Sequence, residues 1–285
     1  MSRIGLAVHR FRPDALEMAR IIATWAVNNN CVAVIDEADD LLIDSPNTQV
    51  GDISSTDVLV SIGGDGTMLR AVGALTGAPV PIIGVNLGLL GYLATVEQDS
   101  VLGALEAWKN GEIGKQYDFD DRMLVEISVW SHGARLGNLL ALNEVVIEKN
   151  DAGHTVRLGV DIDKAPFTTY AADGLIIATP TGSTAYSMSA RGPILSSRLR
   201  ALLITPVSPH MLFDRSMVLD PTETIRIEVL GHRSVSVAID GTFVHTLVPG
   251  DIIEIKAAQQ VARFVRFEER RFHQILKTKF GLNDR

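Results

Sequence analysis

The first stretch whose residue types could do chemistry is Gly-Gly-Asp-Gly at residues 63–66, directly after an apolar, β-branched run at residues 58–62. Glycines in such a turn let the backbone adopt positive φ and let another molecule approach closely. Inward-pointing N–H groups at a helix start favour phosphate oxygens. A carboxylate in this phosphate cradle, Asp65, predicts a base for a hydroxyl nucleophile or a group that works with a metal ion. The alternative is that Asp65 only caps the following helix.

A second candidate is an adjacent amide and carboxylate, Asn143 and Glu144, inside the apolar run at residues 140–147. Such groups are costly within an apolar run unless they are paired. The same two groups can grip a sugar diol, which predicts a ligand contact. The alternative is that the pair lies at a sheet edge, where polar side chains reach water.

A longer polar pattern occupies residues 173–189. It begins with Asp-Gly, continues as an apolar strand, and turns at Pro-Thr-Gly before a helix that Ser183 is predicted to cap. Hydroxyls at positions 184, 186, 187 and 189 predict contacts to a polar ligand, and an ordinary capped helix is the alternative. Further along, Asp-Gly-Thr at residues 240–242 could by itself be no more than a hairpin turn.

Alternating strands and helices must position the first of these stretches. Apolar runs predict strands at 4–8, 31–35, 58–62 and 80–85, and helical spacing predicts helices at 13–27 and from 67 to about 75. This order predicts a parallel sheet with right-handed crossovers. Ligands of such sheets bind beyond the carboxyl ends of the strands, where residues 63–66 would lie. The Gly-rich stretch at 86–93 is either a second wall of that site or a tight turn.

The pattern changes to short strands after about residue 120. Strands are predicted at 124–130, 138–148, 155–162, 175–179, 202–205, 225–229, 235–239, 252–255 and 262–267. Only residues 183–190 and about 272–280 have a helical pattern. The predicted organisation is therefore an α/β domain at 1–118, a β-rich domain at 119–270, and a C-terminal helix at 271–285 that returns to or closes the fold.

Composition limits the classes of partner and compartment. The 285 residues carry a formal net charge of −8, which offers no general basic field for nucleic acid or anionic lipid. The single cysteine, Cys31, excludes an internal disulfide and favours a reducing compartment. The sequence has no apolar signal core and no run near the roughly 20 apolar residues of a membrane span. These features predict a cytoplasmic protein without a membrane or nucleic-acid partner.

Several motifs of known enzyme classes are missing from the sequence, which limits the reactions that it could catalyse. The sequence has no Walker Gly-x-x-x-x-Gly-Lys-Ser/Thr, no Asp-Phe-Gly and no Gly-x-Gly-x-x-Gly, which argues against a P-loop enzyme, a protein kinase and a dehydrogenase. No histidine pair has helical metal-ligand spacing, so no protein-held metal is predicted. Magnesium would arrive with a nucleotide, held mainly by phosphates and water.

Together the motifs resemble those of the NAD kinase family. The resemblance runs collinearly over about residues 55–245 and comprises the Gly-Gly-Asp-Gly turn, the Asn-Glu pair and the Asp-Gly…Thr-Pro-Thr-Gly-Ser-Thr-Ala-Tyr segment. Residues 85–93, Pro209-His210 and Phe213-Asp214-Arg215 are also similar to the family. The Thr-Pro-Thr-Gly-Ser-Thr-Ala-Tyr run is highly specific. The Gly-Gly-Asp-Gly turn is less so, because diacylglycerol kinases, sphingosine kinases and phosphofructokinases share it.

The resemblance implies phosphoryl transfer to the 2′-hydroxyl of the adenosine ribose of NAD, giving NADP, from ATP, another nucleotide or polyphosphate with Mg²⁺. It implies an α/β N-terminal domain with a parallel sheet, a β-rich, sandwich-like C-terminal domain, and a homodimer or homotetramer. Asp65 matches the family's general base, and Asn143 and Glu144 match the pair that faces the adenosine half. The residues that match dinucleotide contacts are Asp65, Gly66, Arg70, Asn143, Glu144, Asp173, Thr184, Ala185, Tyr186, Ser187, Met188, Ser189, Asp240 and Thr242.

Two positions depart from the family pattern, and two other functions stay open. Arg191 stands where the family usually has a glycine, and Ser216 replaces a common proline. A lipid kinase with the same Gly-Gly-Asp-Gly turn is one alternative, although no stretch is typical of a membrane-binding surface. A dinucleotide-binding sensor without chemistry is the other, and Asp65 argues against it because binding alone does not require that carboxylate.

Overall fold

The computed structural model describes residues 1–88, 91–111, 113–267 and 272–282. Leu89 and Leu90 of the glycine-rich stretch lie outside the described residues, as do residues 112, 268–271 and 283–285, which include both ends of the predicted C-terminal segment. Among the described residues, no helix combines the length and apolar character that crossing a membrane requires.

Strands alternate with helices in the first part of the chain and predominate after it. The strands are β1 Ser2–Val8, β2 Cys31–Ile35, β3 Thr48–Val50, β4 Val58–Gly63, β5 Ile82–Asn86, β6 Val96–Glu97, β7 Asp118–Ser131, β8 Ala134–Ala141, β9 Glu144–Lys149, β10 Val156–Ile162, β11 Ala165–Ala172, β12 Gly174–Ala178, β13 Leu202–Val207, β14 Met217–Leu219, β15 Ile225–Leu230, β16 Val235–Ile239, β17 Thr242–Leu247 and β18 Ile252–Arg266. The α-helices are α1 Pro13–Asn28, α2 Glu37–Ile43, α3 Asp65–Leu75, α4 Val101–Asn110, α5 Tyr186–Ser189 and α6 Phe272–Lys279.

The first of two compact units comprises Met1–Asp121 and Ala262–Arg285. Its sheet has the order β3-β2-β1-β4-β5, and every one of these neighbouring pairs is parallel. All six residues of β4 are buried, as expected for a strand whose two faces are both covered. The predicted α/β domain with a parallel sheet is confirmed. The short strand β3 and helix α4 were not predicted from the sequence.

Helix α1 shows why this unit folds as it does. Pro13 supplies the fixed φ that suits a first helical turn. Its buried residues recur at helical spacing, with Ala15, Ala19, Ile22 and Ala26 all fully buried in the core around the parallel sheet.

The second unit, Arg122–Val261, is a sandwich of antiparallel strands. One sheet has the order β14-β13-β12-β9-β16-β17, and the strands β11, β10, β15 and the first half of β18 pair in the other. Alternate residues of both sheets, such as Val145 and Ile147 in β9 and Leu158 and Val160 in β10, form one buried core. The predicted β-rich, sandwich-like domain is confirmed.

The predicted strand at residues 138–148 is wrong. Residues 138–148 are not one strand, because β8 ends at Ala141 and β9 begins at Glu144. The backbone N–H groups of Leu142 and Asn143 donate to the Asp240 carboxylate instead of to a neighbouring strand.

The predicted helix at 183–190 is broken as well. A 3₁₀ turn over Gly182–Thr184 and the one-turn helix α5 are separated at Ala185, whose φ of −102° and ψ of −129° are not helical. Ser183 does not cap this segment, because its hydroxyl donates to the Pro180 carbonyl and accepts from the Leu195 N–H.

The end of the chain also differs from the prediction. Residues 252–255 and 262–267 belong to one continuous 15-residue strand, β18, rather than to two strands. The β-rich unit ends at Val261, whereas the predicted domain extended to residue 270. The reason is that Phe264 pairs in parallel with Ile82 of β5, and the Arg266 guanidinium donates to Leu93 and Thr95.

Candidate active site

The Gly-Gly-Asp-Gly turn connects β4 to α3 at the carboxyl end of the parallel sheet. None of its glycines has positive φ, so that expectation was wrong; Gly64 has a φ of −117°. Gly63 is needed for close packing, because a Cβ there would lie 2.3 Å from the Thr67 Oγ1. A Cβ on Gly64 or Gly66 would meet nothing within 4 Å, so the space above these two residues is open.

Asp65 is the first residue of α3, but its side chain does not cap that helix. Its Oδ2 accepts from the Tyr92 N–H at 2.9 Å, and its Oδ1 accepts from the Leu93 N–H at 3.0 Å. A Cβ on Gly91 would lie 2.2 Å from Asp65 Oδ1, so glycine allows this close approach. The half-buried carboxylate therefore ties the loop after β5 to the start of α3. Burial, and secondarily the Asp65 charge, raise the pKa of Tyr92.

Arg70 lies about one and a half turns further along α3. Its guanidinium is 3.1 Å from the carboxylate of Asp39 and also donates to the Val8 carbonyl at the end of β1. Arg10 binds the same carboxylate at 2.6 Å. Asp39 and Arg10 were not among the residues singled out from the sequence, because the acidic run at 36–44 has the pattern of a solvated surface.

In the second unit, Asp240 occupies the turn between β16 and β17. It has a φ of 47° and Gly241 a φ of 79°, which are the values a two-residue hairpin turn requires. Its carboxylate accepts hydrogen bonds from the backbone N–H groups of Leu142 at 2.8 Å, Asn143 at 2.7 Å and Glu144 at 3.1 Å. Burial raises the pKa of Asp240, and the three amides oppose that rise. The turn is thus a hairpin whose side chain also fixes residues 142–144.

Glu144 is the first residue of β9, which lies between β12 and β16 and is not an edge strand. The side chain is buried, and its Oε2 has no hydrogen-bond partner among the described residues. Burial, followed by the Asp240 charge, raises the pKa of Glu144 to about 8, while the Tyr186 backbone N–H opposes the shift. A buried carboxyl oxygen without a partner is costly, and a ligand donor would relieve that cost.

Asn143 is held by a turn from the next strand. Its carbonyl accepts from the Thr179 N–H at 2.8 Å, and the Thr179 hydroxyl accepts from the Gly182 N–H at 3.1 Å. A Cβ on Gly182 would lie 2.1 Å from the Asn143 carbonyl oxygen, so only glycine fits there. The Thr-Pro-Thr-Gly run therefore packs directly against the Asn-Glu pair.

Asp173 and Tyr186 belong to a second polar group in this unit. Asp173 forms an ion pair with Lys149 at 2.6 Å, and the Tyr186 hydroxyl donates to Glu148. The hydrogen bond to Glu148 is the main cause that raises the pKa of Tyr186 to about 12. Glu148 and Lys149 were not predicted, although Glu148 lies an even number of residues from Glu144 on β9 and therefore shares its face.

The other residues predicted to contact the dinucleotide differ in burial and in their hydrogen bonds. Ser187 is buried, and its hydroxyl is 2.9 Å from that of Thr205, so it packs inward. The Thr184 hydroxyl donates to the Thr181 carbonyl at 3.2 Å. Ser189 and Thr242 are exposed, whereas Ala185 and Met188 are half-buried. Arg191 has a φ of 66°, the left-handed region that favours glycine, which explains why a glycine suits this position.

Comparisons with known proteins agree over nearly the whole chain. Residues 44–113 match the ATP-NAD kinase N-terminal domain, and residues 142–267 match the ATP-NAD kinase C-terminal domain. The NAD kinase of Syntrophotalea carbinolica is 37% identical over 289 residues, covering 100% of both chains. The NAD kinase of Heliobacterium modesticaldum is 36% identical and covers 98% of each chain.

Two solved structures share the fold. Yeast NADH kinase complexed with NADH has a TM-score of 0.88 at 24% identity and covers 100% of this chain and 89% of its own. An NAD kinase from Archaeoglobus fulgidus in complex with ATP has a TM-score of 0.73 at 22% identity, covering 98% and 97%.

The fold and the relatives first define a class: a kinase built from an α/β unit with a Gly-Gly-Asp-Gly turn and a β-sandwich unit. The chain belongs to the NAD kinase family, and its enzymatic activity is that of an NAD kinase. This membership decides against the lipid kinase and against the sensor without chemistry.

Proposed function

We propose that the chain transfers a phosphoryl group from ATP, another nucleotide or polyphosphate to the 2′-hydroxyl of the adenosine ribose of NAD, with Asp65 as the general base. The observation that carries this proposal is the Asp65 carboxylate, which two backbone amides hold beside the open space above Gly64 and Gly66. A ribose hydroxyl is a poor nucleophile near neutral pH, and a positioned carboxylate that accepts its proton contributes about 10²–10⁴-fold in rate.

The amide contacts of Asp65 are compatible with this role. Each carboxylate oxygen accepts one backbone N–H, which leaves further lone pairs for a substrate hydroxyl. The same contacts fix the orientation of the carboxylate before substrate binds, so that little reorganisation accompanies the reaction. Most of the remaining catalysis would be alignment and charge neutralisation of the transferred phosphoryl group.

We propose that Mg²⁺ is coordinated mainly by the phosphoryl donor and not by a dedicated metal site of the protein. The donor phosphates and water would supply most of the ligands of Mg²⁺, as is usual for an ion that arrives with a nucleotide. Among the residues that the structure describes, no three His, Cys, Asp or Glu side chains gather into a potential metal site. When bound, the ion neutralises charge on the phosphates, while Asp65 accepts the proton of the ribose hydroxyl.

Substrate recognition in the second unit would come from Asn143, Glu144 and Asp240. The unpartnered Oε2 of Glu144 can accept a ligand hydroxyl, and Asp240 fixes the backbone of both neighbours. We propose that this group grips the adenosine half of NAD. The further dinucleotide contacts of the proposal are Gly66, Arg70, Asp173, Thr184, Ala185, Tyr186, Ser187, Met188, Ser189 and Thr242.

The test is direct. The purified chain is incubated with NAD, ATP and Mg²⁺, and NADP is measured with an NADP-specific dehydrogenase. Parallel reactions replace ATP with other nucleoside triphosphates or with polyphosphate, replace NAD with NADH, or omit the metal. NADP formation that requires both a phosphoryl donor and Mg²⁺ supports the proposal. Absence of NADP with every donor contradicts it.

We also propose at least a homodimer formed through the β-rich unit. Several of its large apolar side chains are exposed, among them Leu212, Val218 and Phe243. Light scattering at micromolar concentration should give at least twice the 30.8 kDa of one chain. A fully active species of single-chain mass would contradict this proposal. The cytoplasmic location stays a prediction from the sequence.

A further inference from the structure

We propose that Arg10 and Arg70 form a paired-guanidinium subsite for a phosphate group of a nucleotide substrate, and that Asp39 is the residue that positions both. The inference rests on the proposed function, since it assigns a binding group to that reaction. The feature behind it is a charge cluster of three residues in the first unit, which come from the loop after β1, from α2 and from α3.

The geometry converges on one buried carboxylate. Asp39 is only 2% exposed, and its Oδ1 accepts from the Arg10 Nε at 2.6 Å. Its Oδ2 accepts from the Arg70 Nη1 at 3.1 Å. Arg70 has a second anchor, because its Nη2 donates to the Val8 carbonyl. The two guanidiniums are therefore held side by side by contacts from different elements.

The cluster has excess positive charge and unused hydrogen-bond donors. Two guanidiniums share one carboxylate, which leaves one positive charge uncompensated within the three residues. The side chains of Arg10 and Arg70 remain 39% and 37% exposed. The two terminal nitrogens of Arg10 make no hydrogen bond with the described part of the chain. Guanidinium groups present paired N–H donors that match phosphate oxygens.

Stability alone does not account for this arrangement. Burial of a carboxylate carries a large desolvation cost, and its ion pairs often do no more than offset that cost. Partly exposed arginines contribute little to stability through such pairs. A second arginine on the same carboxylate is better explained by a need for fixed positive charge. The chain as a whole carries −8, so an anionic ligand needs a local source of positive charge.

The location is also that of a ligand site. Val8 is the last residue of β1, and the His9 N–H that follows donates to Ile62 of β4. A Cβ on Gly63 would lie 3.2 Å from the His9 Cβ, so the loop that carries Arg10 borders the Gly-Gly-Asp-Gly turn. Both features lie at the carboxyl ends of parallel strands, where ligands of α/β sheets bind.

The experiment compares Arg10→Ala with wild type in steady-state assays that vary NAD and ATP separately. We expect the KM for one nucleotide to rise about tenfold, because a charge-assisted hydrogen bond is lost, with kcat within about threefold. A rise for ATP assigns the subsite to the donor, and a rise for NAD assigns it to the dinucleotide pyrophosphate. Arg10→Lys should recover part of the loss. If both KM values stay within twofold of wild type, the proposal is overturned.

Arg263→Ala is the matched control. Arg263 lies in the same unit with 37% exposure and an ion pair to Asp121, and its removal should leave both KM values unchanged. Asp39→Asn tests positioning: it should raise the same KM as Arg10→Ala and should add little to it in the double variant. Additive effects would overturn the role of Asp39. If Asp39→Asn does not fold, Arg10→Ala and Arg10→Lys still decide whether the subsite exists.

Binding of inorganic tripolyphosphate, measured by calorimetry, separates this proposal from the proposed function. Wild type should bind the probe and Arg10→Ala should bind it about tenfold more weakly, whether or not NADP is formed. Equal affinity of the two proteins would overturn the subsite. Absence of NADP formation together with the expected loss of tripolyphosphate affinity would instead contradict only the proposed reaction.

Discussion

The two units use carboxylates in different ways. In the α/β unit, both oxygens of Asp65 accept backbone N–H groups from the loop after β5, so the carboxylate is fixed in place. In the sandwich unit, Glu144 is buried with one oxygen that has no partner among the described residues. The difference is consistent with the two roles that we propose, because a fixed orientation suits a general base and an unsatisfied acceptor suits a ligand-binding group.

Asp240 sharpens this comparison, because it resembles Asp65 and not its neighbour Glu144. It too binds backbone amides of a distant segment, three of them, and thereby shapes residues 142–144. Each unit thus has an aspartate that organises a loop. Only the sandwich unit adds a buried glutamate whose charge the surroundings disfavour.

The largest expected effect is on turnover, and it comes from changing Asp65, the fixed carboxylate of the α/β unit. Asp65→Asn should lower kcat by about 10²-fold or more, because an amide cannot accept the ribose proton. It should also lower the melting temperature modestly, because the new NH₂ group would face one of the two backbone N–H donors. Steady-state NADP formation and thermal unfolding measure the two effects.

Asp57→Asn is the matched control for this prediction. Asp57 also accepts a backbone N–H, from Arg3 at 2.7 Å, but precedes β4 rather than following it. The Asp57→Asn variant should be somewhat less stable than wild type, and its kcat should be unchanged. Turnover of Asp65→Asn within a few-fold of wild type would remove the catalytic role and leave Asp65 as a residue that only anchors the loop.

The next effect concerns the buried glutamate and pH. Burial raises the pKa of Glu144 from 4.5 to about 8, so above pH 4.5 the unfolded chain releases a proton that the folded chain retains. The stabilising contribution is therefore complete below pH 4.5 and is lost as the pH rises to about 8. Glu144→Gln cannot titrate, so its stability relative to wild type should rise between pH 5 and 9 by about 4 kcal/mol, since each pH unit between 5 and about 8 contributes about 1.4 kcal/mol.

Chemical denaturation at several pH values measures this difference. Asp240 remains in both proteins, but its charge interacts with that of Glu144, so the difference between the two curves includes the loss of this interaction as well as the titration of Glu144 itself. Parallel stability curves for the two proteins would mean that Glu144 is not held in the protonated form.

A smaller effect is expected on substrate binding. Asn143→Ala and Glu144→Ala should each weaken NAD binding by about tenfold, since each removes a hydrogen-bonding side chain from the proposed grip. Both variants should fold, because the backbone contacts of residues 142–144 to Asp240 do not involve the removed groups. Glu126→Ala is the control. Glu126 lies on β7 of the same unit, and its carboxylate forms an ion pair with Lys256 of β18. Unchanged calorimetric affinity in both site variants would make the pair structural.

The smallest effect is expected at Arg191. Its φ of 66° strains any side chain, so Arg191→Gly should stabilise the protein by about 1 kcal/mol. The guanidinium makes no hydrogen bond or ion pair with the described residues, and the KM for ATP should not change. Thermal unfolding and donor kinetics test the two statements. A raised KM for ATP would show that the arginine is kept for phosphate binding despite the strain.

Local patterns sufficed for much of the fold. Apolar runs located β2 at its observed bounds and β1, β4 and β5 within one or two residues, because a buried parallel strand must be apolar on both faces. The alternation of the later strands indicated the sandwich. The Gly-Gly-Asp-Gly, Asn-Glu and Thr-Pro-Thr-Gly motifs indicated the family, which the relatives confirm.

The partners of these motifs were decided by the tertiary structure. Asp65 meets amides 27 and 28 residues away, and Asp240 meets amides 96 to 98 residues away. Sequence spacing reports which face of a strand or helix a side chain occupies, but not which distant segment the topology brings to it. For the same reason the break at residues 142–143, the pairing of Phe264 with β5 and the shared carboxylate of Arg10 and Arg70 required the folded chain.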